Sequence, residues 1–315
     1  MLNLKHLQVL HELARQGTLT KTAAALHFTP SAVSQQLTAL QREAGIELLE
    51  HVGRGVRLSP AAEQLVDHAR AIFDRLALAE SDLAAFHGGP RGRVRVASFH
   101  TVLLEIAPLA LTSLSDLYPD LEVQLINQDV DEGHAGLLSH DYDLVLGEDY
   151  PGSAIPDQPG VHREDFYTDP LRLVVPAQGL KGNHVDTDKL RSLSELKEAP
   201  WAMEPPGTRI HRWIVGRCRE AGFEPRVLAE TPDPLLNLQL VRNGHAVAAV
   251  PALLGEPHLT GVVALDLPDH PCRTLYTEVR AGRERHPAVI AVRQAFKNAI
   301  DSINRPEATR TLVDI

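Results

Sequence analysis

The segment from Pro60 to Phe86 constrains the fold of this chain more than any other part of the sequence. Ser59 can cap a helix by accepting a backbone N–H, and a proline at the first helical position loses no hydrogen bond. The glycine-proline run at residues 88–90 then ends the helix. The sequence therefore predicts one long helix between a short N-terminal part and a much longer C-terminal part.

Apolar residues along this helix alternate spacings of four and three, which is typical of a coiled-coil seam. The seam consists of Leu65, Ala69, Ile72, Leu76, Ala79, Leu83 and Phe86. A helix packed only against its own chain is the alternative. Strict alternation over three heptads favours a partner helix from a second copy, and therefore a homodimer.

Three shorter helices are predicted before this segment. Leucines recur at helical spacing from Leu4 to Leu13 and stop before Gly17, which gives the first helix a glycine stop. A second helix is expected from Thr20 to His27. Short helices joined by tight turns are typical of a helix-turn-helix.

The third helix has a short, uncharged polar face. Thr29 supplies its N-cap and Pro30 its first helical residue. The polar face consists of Ser31, Ser34, Gln35 and Thr38. A merely solvated face usually carries Lys and Glu, whereas Ser, Thr and Gln form hydrogen bonds to phosphates and base edges. An ordinary polar face is the alternative, but these residue types favour contact with DNA.

Two short strand-like runs follow, and Gly53 and Gly55 separate them, which predicts a β-wing. Arg54 lies at its tip and Arg57 on the return strand, where both can reach phosphates or a narrow minor groove. The whole chain has a formal charge of −10, yet residues 1–59 carry six Lys and Arg against four Glu, a net charge of +2. The acidity therefore belongs to the rest of the chain and does not exclude a DNA partner.

Residues 23–37 (AAALHFTPSAVSQQL) and 53–59 (GRGVRLS) resemble the signature of LysR-type transcriptional regulators. The similarity is strong over about residues 1–90 and weaker but colinear beyond. It implies that the recognition helix lies at residues 30–43, and that Ser31, Ser34 and Gln35 contact double-stranded DNA. A symmetric dimer would then bind an interrupted palindromic operator, and a homotetramer is expected from the family.

The resemblance also implies a multidomain fold. Its expected parts are an all-α winged helix-turn-helix DNA-binding domain at residues 1–59, a linker and dimerisation helix at 60–88, and a C-terminal α/β effector-binding domain at 89–315. This last domain has two lobes, like a periplasmic solute-binding protein, and the chain crosses to the second lobe and returns. Lobe one is expected at about 92–163 and 266–300, and lobe two at about 164–265.

The pattern of the C-terminal part agrees with two α/β lobes, because strand-like runs alternate with helices. The runs lie at residues 94–97, 121–126, 143–146, 171–176, 201–203, 226–229 and 246–250, with a helix expected at 101–118. Ligands of such folds bind beyond the carboxyl ends of the strands. The residues expected to bind the effector are Ser98, Phe99, His100, Thr101, Asn127, Gln128, Gly147, Glu148, Pro206, Gly207, Thr208, Thr231, Asp233 and Pro251.

The charge of the effector stays open at this point. Thr101, Thr208 and Asp233 stand at predicted helix starts, where free N–H groups favour an anion, so a carboxylate is the leading expectation. Each of the three is also a plausible N-cap without a ligand. Glu148, with further acidic residues near Asp129, would instead suit a cationic or amino-bearing ligand.

Other classes of function fit less well. The histidines lack metal-ligand spacing, no cofactor motif follows a strand, and Cys218 and Cys272 are far apart, so we expect no metal, no cofactor and reduced thiols. We expect a cytoplasmic protein without a membrane span or a secretory signal. An enzyme or a cytoplasmic solute-binding protein could use the α/β domain alone, but neither accounts for the first ninety residues.

Overall fold

The computed structural model describes residues 1–52, 55–86, 89–152, 158–181, 192–267 and 269–303. Its N-terminal domain contains three helices followed by an antiparallel pair of strands. These elements are α1 (Leu4–Gln16), α2 (Leu19–Ala25), α3 (Pro30–Ala44), β1 (Leu49–Val52) and β2 (Gly55–Leu58). The predicted helix-turn-helix and wing are therefore confirmed.

Side-chain caps explain where these helices begin. The Thr29 hydroxyl accepts a hydrogen bond from the Ala32 N–H at 3.2 Å, with Pro30 at the first helical position, as predicted. The second helix begins earlier than Thr20 because Thr18 provides its cap, and it ends at Ala25, before His27 adopts a positive φ of 54°. The core of this domain is built on leucines such as Leu10, Leu37, Leu40 and Leu48.

The long helix α4 spans Pro60–Ala85, as the sequence predicts, and the Ser59 hydroxyl caps it by accepting from the Ala62 N–H. Its predicted seam divides into two parts. Leu65 and Ala69 pack into the core of the N-terminal domain of their own chain. The upper apolar positions are exposed: Ile72 at 40%, Leu76 at 43%, Leu83 at 64% and Phe86 at 87%. Only this upper part is free to meet another helix.

The first lobe of the C-terminal part has a mixed sheet in the order β4-β3-β5-β11. Its elements are β3 (Gly92–Ser98), α5 (His100–Glu105), α6 (Ala107–Leu117), β4 (Leu121–Asn127), α7 (Val130–Leu138), β5 (Leu144–Asp149), β11 (Cys272–Arg280) and α11 (Pro287–Ile303). The expectation of a single helix at 101–118 is wrong, because two helices meet at Ile106. Pro108 explains the break, because its ring has no N–H and clashes with the carbonyl four residues earlier.

One long strand, β6 (Val161–Pro176), passes through both lobes. Its first part pairs with β11 as far as Pro170, and from Leu171 onward it pairs with strands of the second lobe. The change of lobe therefore comes at Pro170–Leu171, later than the expected residue 164. One continuous strand therefore joins the two lobes here.

The second lobe packs its helices around buried aromatic and apolar side chains, including Trp201 and Ile214. Its elements are β7 (Pro200–Met203), α8 (Arg209–Glu220), β8 (Arg226–Glu230), α9 (Pro234–Arg242), β9 (Ala248–Pro251), α10 (Gly255–His258) and β10 (Val262–Asp266). Thr208 caps α8 and Asp233 caps α9, as predicted. None of the described helices combines the length and apolar character needed to cross a membrane.

The long helix also docks against the first lobe of its own chain. The Ser81 hydroxyl donates a hydrogen bond to the Gly282 carbonyl at 2.8 Å. A Cβ at Gly282 would lie 2.5 Å from the Asp74 carbonyl oxygen and 2.8 Å from the Leu78 nitrogen. The backbone of this turn can therefore approach α4 closely only because residue 282 is glycine.

We expect Gly282→Ala to loosen the docking of α4 while both domains stay folded. Hydrogen exchange at amides 74–82 should become faster than in the wild type. Gly222→Ala is the matched control, since Gly222 also has a positive φ, 89°, but no atom lies within 4 Å of the place its Cβ would occupy. Equal exchange in the two variants would attribute the effect to backbone strain alone.

Candidate functional site

The polar face of α3 is open to solvent. The predicted contact residues Thr29, Pro30, Ser31, Ser34, Gln35 and Thr38 are all accessible on it. Thr29 and Ser31 share a hydrogen bond of 3.0 Å between their hydroxyls, and the Thr38 hydroxyl donates to the Ser34 carbonyl at 2.9 Å. Gln35 is exposed beside these hydroxyl groups. This face presents several donors and acceptors without a fixed charge, and such groups can form hydrogen bonds with base edges.

The wing arginine is held by an acidic neighbour. Arg57 lies opposite Glu50 in the pairing of β1 with β2, and its Nη2 lies 2.5 Å from Glu50 Oε2. Both side chains are exposed. Arg54, the other predicted contact of the wing, lies outside the described residues. The Arg57 guanidinium can therefore contact a phosphate either through its Nη1 or by exchanging Glu50 for the phosphate.

A cavity of about 220 Å³ lies between the two lobes, at the carboxyl ends of their strands. This is the position that open α/β sheets favour for ligands. Eight of the residues predicted to bind the effector line it: Phe99, His100, Thr101, Asn127, Gln128, Glu148, Thr208 and Pro251.

Six predicted residues do not line the cavity: Ser98, Gly147, Pro206, Gly207, Thr231 and Asp233. Ser98 is only 2% exposed. The Tyr276 ring covers Gly147, with a ring atom 2.4 Å from the place a Cβ would occupy. Pro206 and Gly207 lie in the turn before α8, while Thr231 and Asp233 are engaged in the cap of α9. These six are close in sequence to the cavity but have structural roles or face elsewhere.

A buried arginine that sequence reasoning missed forms one wall of the cavity. Arg273 on β11 is 2% exposed, and its Nε donates to Asp169 Oδ2 at 2.8 Å. Its Nη1 donates to Glu148, and its Nη2 donates to the Thr101 hydroxyl at 3.0 Å. Thr101 therefore serves as an acceptor for Arg273 and is not the helix cap expected from its position.

Burial and pairing act against each other in this cluster. Burial raises the pKa of Glu148 and of Asp169, and the positive charge of Arg273 opposes that rise. Burial also disfavours the Arg273 cation, but Asp169 and Glu148 outweigh it and raise the pKa of the guanidinium. Each charge of the cluster is compensated by hydrogen-bonded partners, so removing one partner would leave an uncompensated buried charge.

A second arginine joins the two lobes. Arg209 begins α8 in lobe two, and its Nη1 donates to Asp149 Oδ1 at 2.6 Å and to the Glu148 carbonyl at 2.7 Å. Its Nη2 donates to Asp131 of α7 at 2.7 Å. Arg209 therefore holds the cleft in its present closure, and any opening at this point must break an ion pair.

Two more polar side chains of the cavity, Glu204 and Asn237, were also missed from sequence. Burial and the nearby Glu148 raise the pKa of Glu204 to about 8. Asn237 is 5% exposed. Glu204 follows strand β7 directly, so the rule of strand ends could have identified it, whereas Asn237 lies within α9 and carried no such signal.

These features define a class of protein. A winged helix-turn-helix, a long connecting helix and a two-lobed domain with an interlobe cavity together form a DNA-binding transcriptional regulator with an effector-binding domain. Family models agree with each part. Residues 4–63 match the bacterial regulatory helix-turn-helix protein, lysR family, and residues 87–301 match the LysR substrate binding domain.

Known proteins give the same result. The regulator MetR of Escherichia coli is 28% identical over 96% of this chain and 92% of its own length. Full-length OxyR from Pseudomonas aeruginosa has a similar fold, with a TM-score of 0.63 and 17% identity, over 94% of this chain and 95% of that one. CbnR complexed with its target DNA has a TM-score of 0.50 and 22% identity, over 95% and 99%. The chain belongs to the LysR family of transcriptional regulators.

Arg273→Met is expected to destabilise the effector-binding domain by about 3–5 kcal/mol near neutral pH, because it leaves buried carboxylates without their cation. Removing the guanidinium raises the pKa values of Glu148 and Asp169 further above their unfolded values. Such groups stabilise the fold below the unfolded pKa and lose that contribution as the pH rises through the folded pKa. The loss in unfolding free energy relative to the wild type should therefore become smaller as the pH falls from about 7 to about 5.

Urea unfolding followed by circular dichroism at the two pH values measures this difference. Arg93→Met is the control, since Arg93 forms an exposed ion pair with Glu122 and its loss should cost about 1 kcal/mol or less. A deficit that is the same at both pH values would contradict the assignment of the lost stability to the buried carboxylates.

Proposed function

We propose that this regulator recognises its operator through the exposed polar face of α3, with Ser31, Ser34 and Gln35 as the residues that contact DNA. The observation that carries this proposal is the composition of that face: exposed, uncharged and short, on a helix with a well-defined start. Thr29, Pro30 and Thr38 lie on its margins and position it against the phosphates. The likeness to CbnR, solved in complex with its target DNA, supports this placement.

The wing adds contacts that do not depend on sequence. Arg57, and Arg54 by its place in the sequence, are suited to phosphates or to a narrow minor groove. Such contacts should affect all DNA sequences alike, and they are screened by salt.

We further propose that the chain acts as a homodimer through α4, and as a homotetramer when further surfaces pair. The exposed upper seam of α4 supports this, because apolar side chains at coiled-coil spacing remain without cover in one chain. A symmetric dimer presents two copies of α3, so the operator should be an interrupted palindrome.

A small molecule bound between the lobes sets the activity of the regulator in this proposal. The cavity residues named above, Phe99 to Thr101, Asn127, Gln128, Glu148, Thr208 and Pro251, would contact it. Binding would bias the closure that Arg209 now holds, and so change the spacing of the DNA-binding domains. The protein acts by binding, in the cytoplasm where DNA is accessible, and not as an enzyme.

Gln35→Ala should relax sequence preference, because a glutamine that pairs with a base edge contributes about 1–3 kcal/mol of discrimination. Affinity for the operator, selected by the wild type from random DNA, should fall, while affinity for unrelated DNA should not change. Titrations with both DNAs, followed by fluorescence anisotropy at one salt concentration, give the ratio of the two affinities.

Gln64→Ala provides the control for this measurement, since Gln64 is an exposed glutamine on α4, outside the proposed contact face. If Gln35→Ala kept the discrimination of the wild type, Gln35 would not belong to the recognition surface. If both DNAs bound more weakly by the same factor, its role would be contact with the backbone of the DNA.

Leu83→Glu should shift the assembly toward smaller species, because a charge replaces an apolar residue within the proposed seam. We expect the dissociation constant of the dimer to rise at least about tenfold. Sedimentation velocity measures the shift, and Ala71→Glu, on another face of the same helix, is the control. An unchanged assembly in the Leu83 variant would remove α4 from the dimer interface.

A further inference from the structure

The cavity contains an excess of negative charge and of hydrogen-bond acceptors. Its lining includes four carboxylate side chains, Asp129, Glu132, Glu148 and Glu204, and two guanidinium groups. Whether an anion can bind there depends on how many of the arginine N–H groups are still available.

Few of these N–H groups remain for a ligand. In Arg273, all three nitrogens donate to partners in the protein, and two of those partners, Asp169 and Glu148, are carboxylates. In Arg209, all three nitrogens are engaged as well, and Asp131 and Asp149 flank it. Each cation therefore has two carboxylates that compensate its charge, and an incoming carboxylate ligand would find neither an uncompensated guanidinium nor its full set of N–H donors.

Glu204 differs from these paired carboxylates. Among the described residues no basic side chain forms an ion pair with its carboxyl group. The His211 ring contacts the Glu204 backbone carbonyl, with Nδ1 at 2.8 Å, and not the side chain. Burial, Glu148 and Asp129 all favour the protonated acid, whereas Arg273 and a hydrogen bond with Thr208 favour the carboxylate, and the pKa rises to about 8. Glu204 is thus a half-buried acid that has no ion-pair partner among the described residues.

Asn237 gives an independent indication of the same kind. It lines the cavity from α9 and is 5% exposed, and its buried Oδ1 has no hydrogen-bond partner among the described residues. A buried acceptor without a donor costs about 1–3 kcal/mol, and a ligand N–H could supply that donor here. The Asn237 oxygen is therefore a second group in the cavity, besides the Glu204 carboxyl group, that an N–H of a ligand could satisfy.

We propose that the effector of this regulator is a small molecule with a protonated amino group, which binds the Glu204 carboxylate and supplies a donor for the Asn237 oxygen. This inference rests on the proposed function of the cavity as the effector site. An ammonium group suits it because it has three N–H donors and no acceptor. The carboxylate expected from the helix starts is disfavoured, because Thr101 accepts from Arg273 and the caps at Thr208 and Asp233 are already made.

The size of the cavity limits the size of the ligand. Its volume of about 220 Å³ is below the roughly 300–1,000 Å³ of sites for drug-sized ligands. The lining around the polar groups includes Met203, Ile210, Ile214 and Val250. An amino compound with a short apolar chain fits both the volume and this lining.

Three probes of one chain length separate the possible charges: 1,5-diaminopentane, 5-aminopentanoate and pentanedioate. Thermal unfolding of the full-length protein at pH 7 should show a rise in Tm that grows with the concentration of either amine. Pentanedioate should give no rise. A rise with pentanedioate alone, or with none of the three probes, overturns the proposal.

Glu204→Gln tests the role of Glu204, because it keeps the shape of the side chain and removes its ability to ionise when an ammonium group binds. Its affinity for 1,5-diaminopentane should fall at least about tenfold, since a charge-assisted hydrogen bond is lost. Glu230→Gln, an exposed change at the end of β8 in the same lobe, should retain the affinity of the wild type. Equal affinity in the two variants overturns the assignment of Glu204.

Proton release gives a second readout that needs no variant. At pH 7 a carboxyl group with a pKa of about 8 is mostly protonated, and a bound ammonium lowers this pKa, so binding should release a proton to the buffer. Calorimetry in buffers of different ionisation enthalpy measures the release. Absence of release on amine binding overturns the contact with Glu204.

Operator binding, measured on the same preparation, separates this proposal from the function on which it rests. Retention of operator binding with no response to amines refutes only the class of effector. Loss of operator binding in the wild type would refute the regulator function itself.

Discussion

The effector-binding domain depends on one buried ion cluster around Arg273. The guanidinium holds Asp169 of the long strand β6, Glu148 at the end of β5 and the Thr101 hydroxyl of α5. Asp169 also accepts from the Leu253 N–H of the second lobe at 2.9 Å. Three strands of the first lobe therefore meet at a single compensated charge, and one backbone N–H of the second lobe joins them. The ion pairs of Arg209 add a second connection between the lobes.

Much of the fold could be predicted because its signals are local. The caps at Thr29, Ser59, Thr208 and Asp233 each involve a side chain and a backbone N–H only two or three residues away. Errors arose where a local signal was weighed wrongly, as at Pro108, or where pairing is non-local, as in the late change of lobe along β6. The seam of α4 was identified correctly as apolar, but sequence spacing alone could not show that its first two positions serve the core of their own chain.

The candidate site was less predictable, for a related reason. The rule of strand ends found Phe99, Asn127 and Glu148, because their positions follow from the topology of the sheet. It missed Arg273 and Arg209, whose partners are 60 to 172 residues away in sequence. It also suggested that Glu148 was a free charge, when Arg273 compensates it. The presence of a charge can be predicted from sequence, but whether it is paired is decided by packing.

The pair between Glu50 and Arg57 has a consequence for the search along DNA. When Arg57 meets a phosphate, Glu50 already compensates part of its charge, so the net electrostatic gain at this position is smaller than for a free arginine. Arg57 then adds less to the residence time on unrelated sequences, which vastly outnumber operators in a genome. A larger share of the binding free energy falls to the uncharged face of α3, and the carboxylate on the wing thereby favours release from the wrong site.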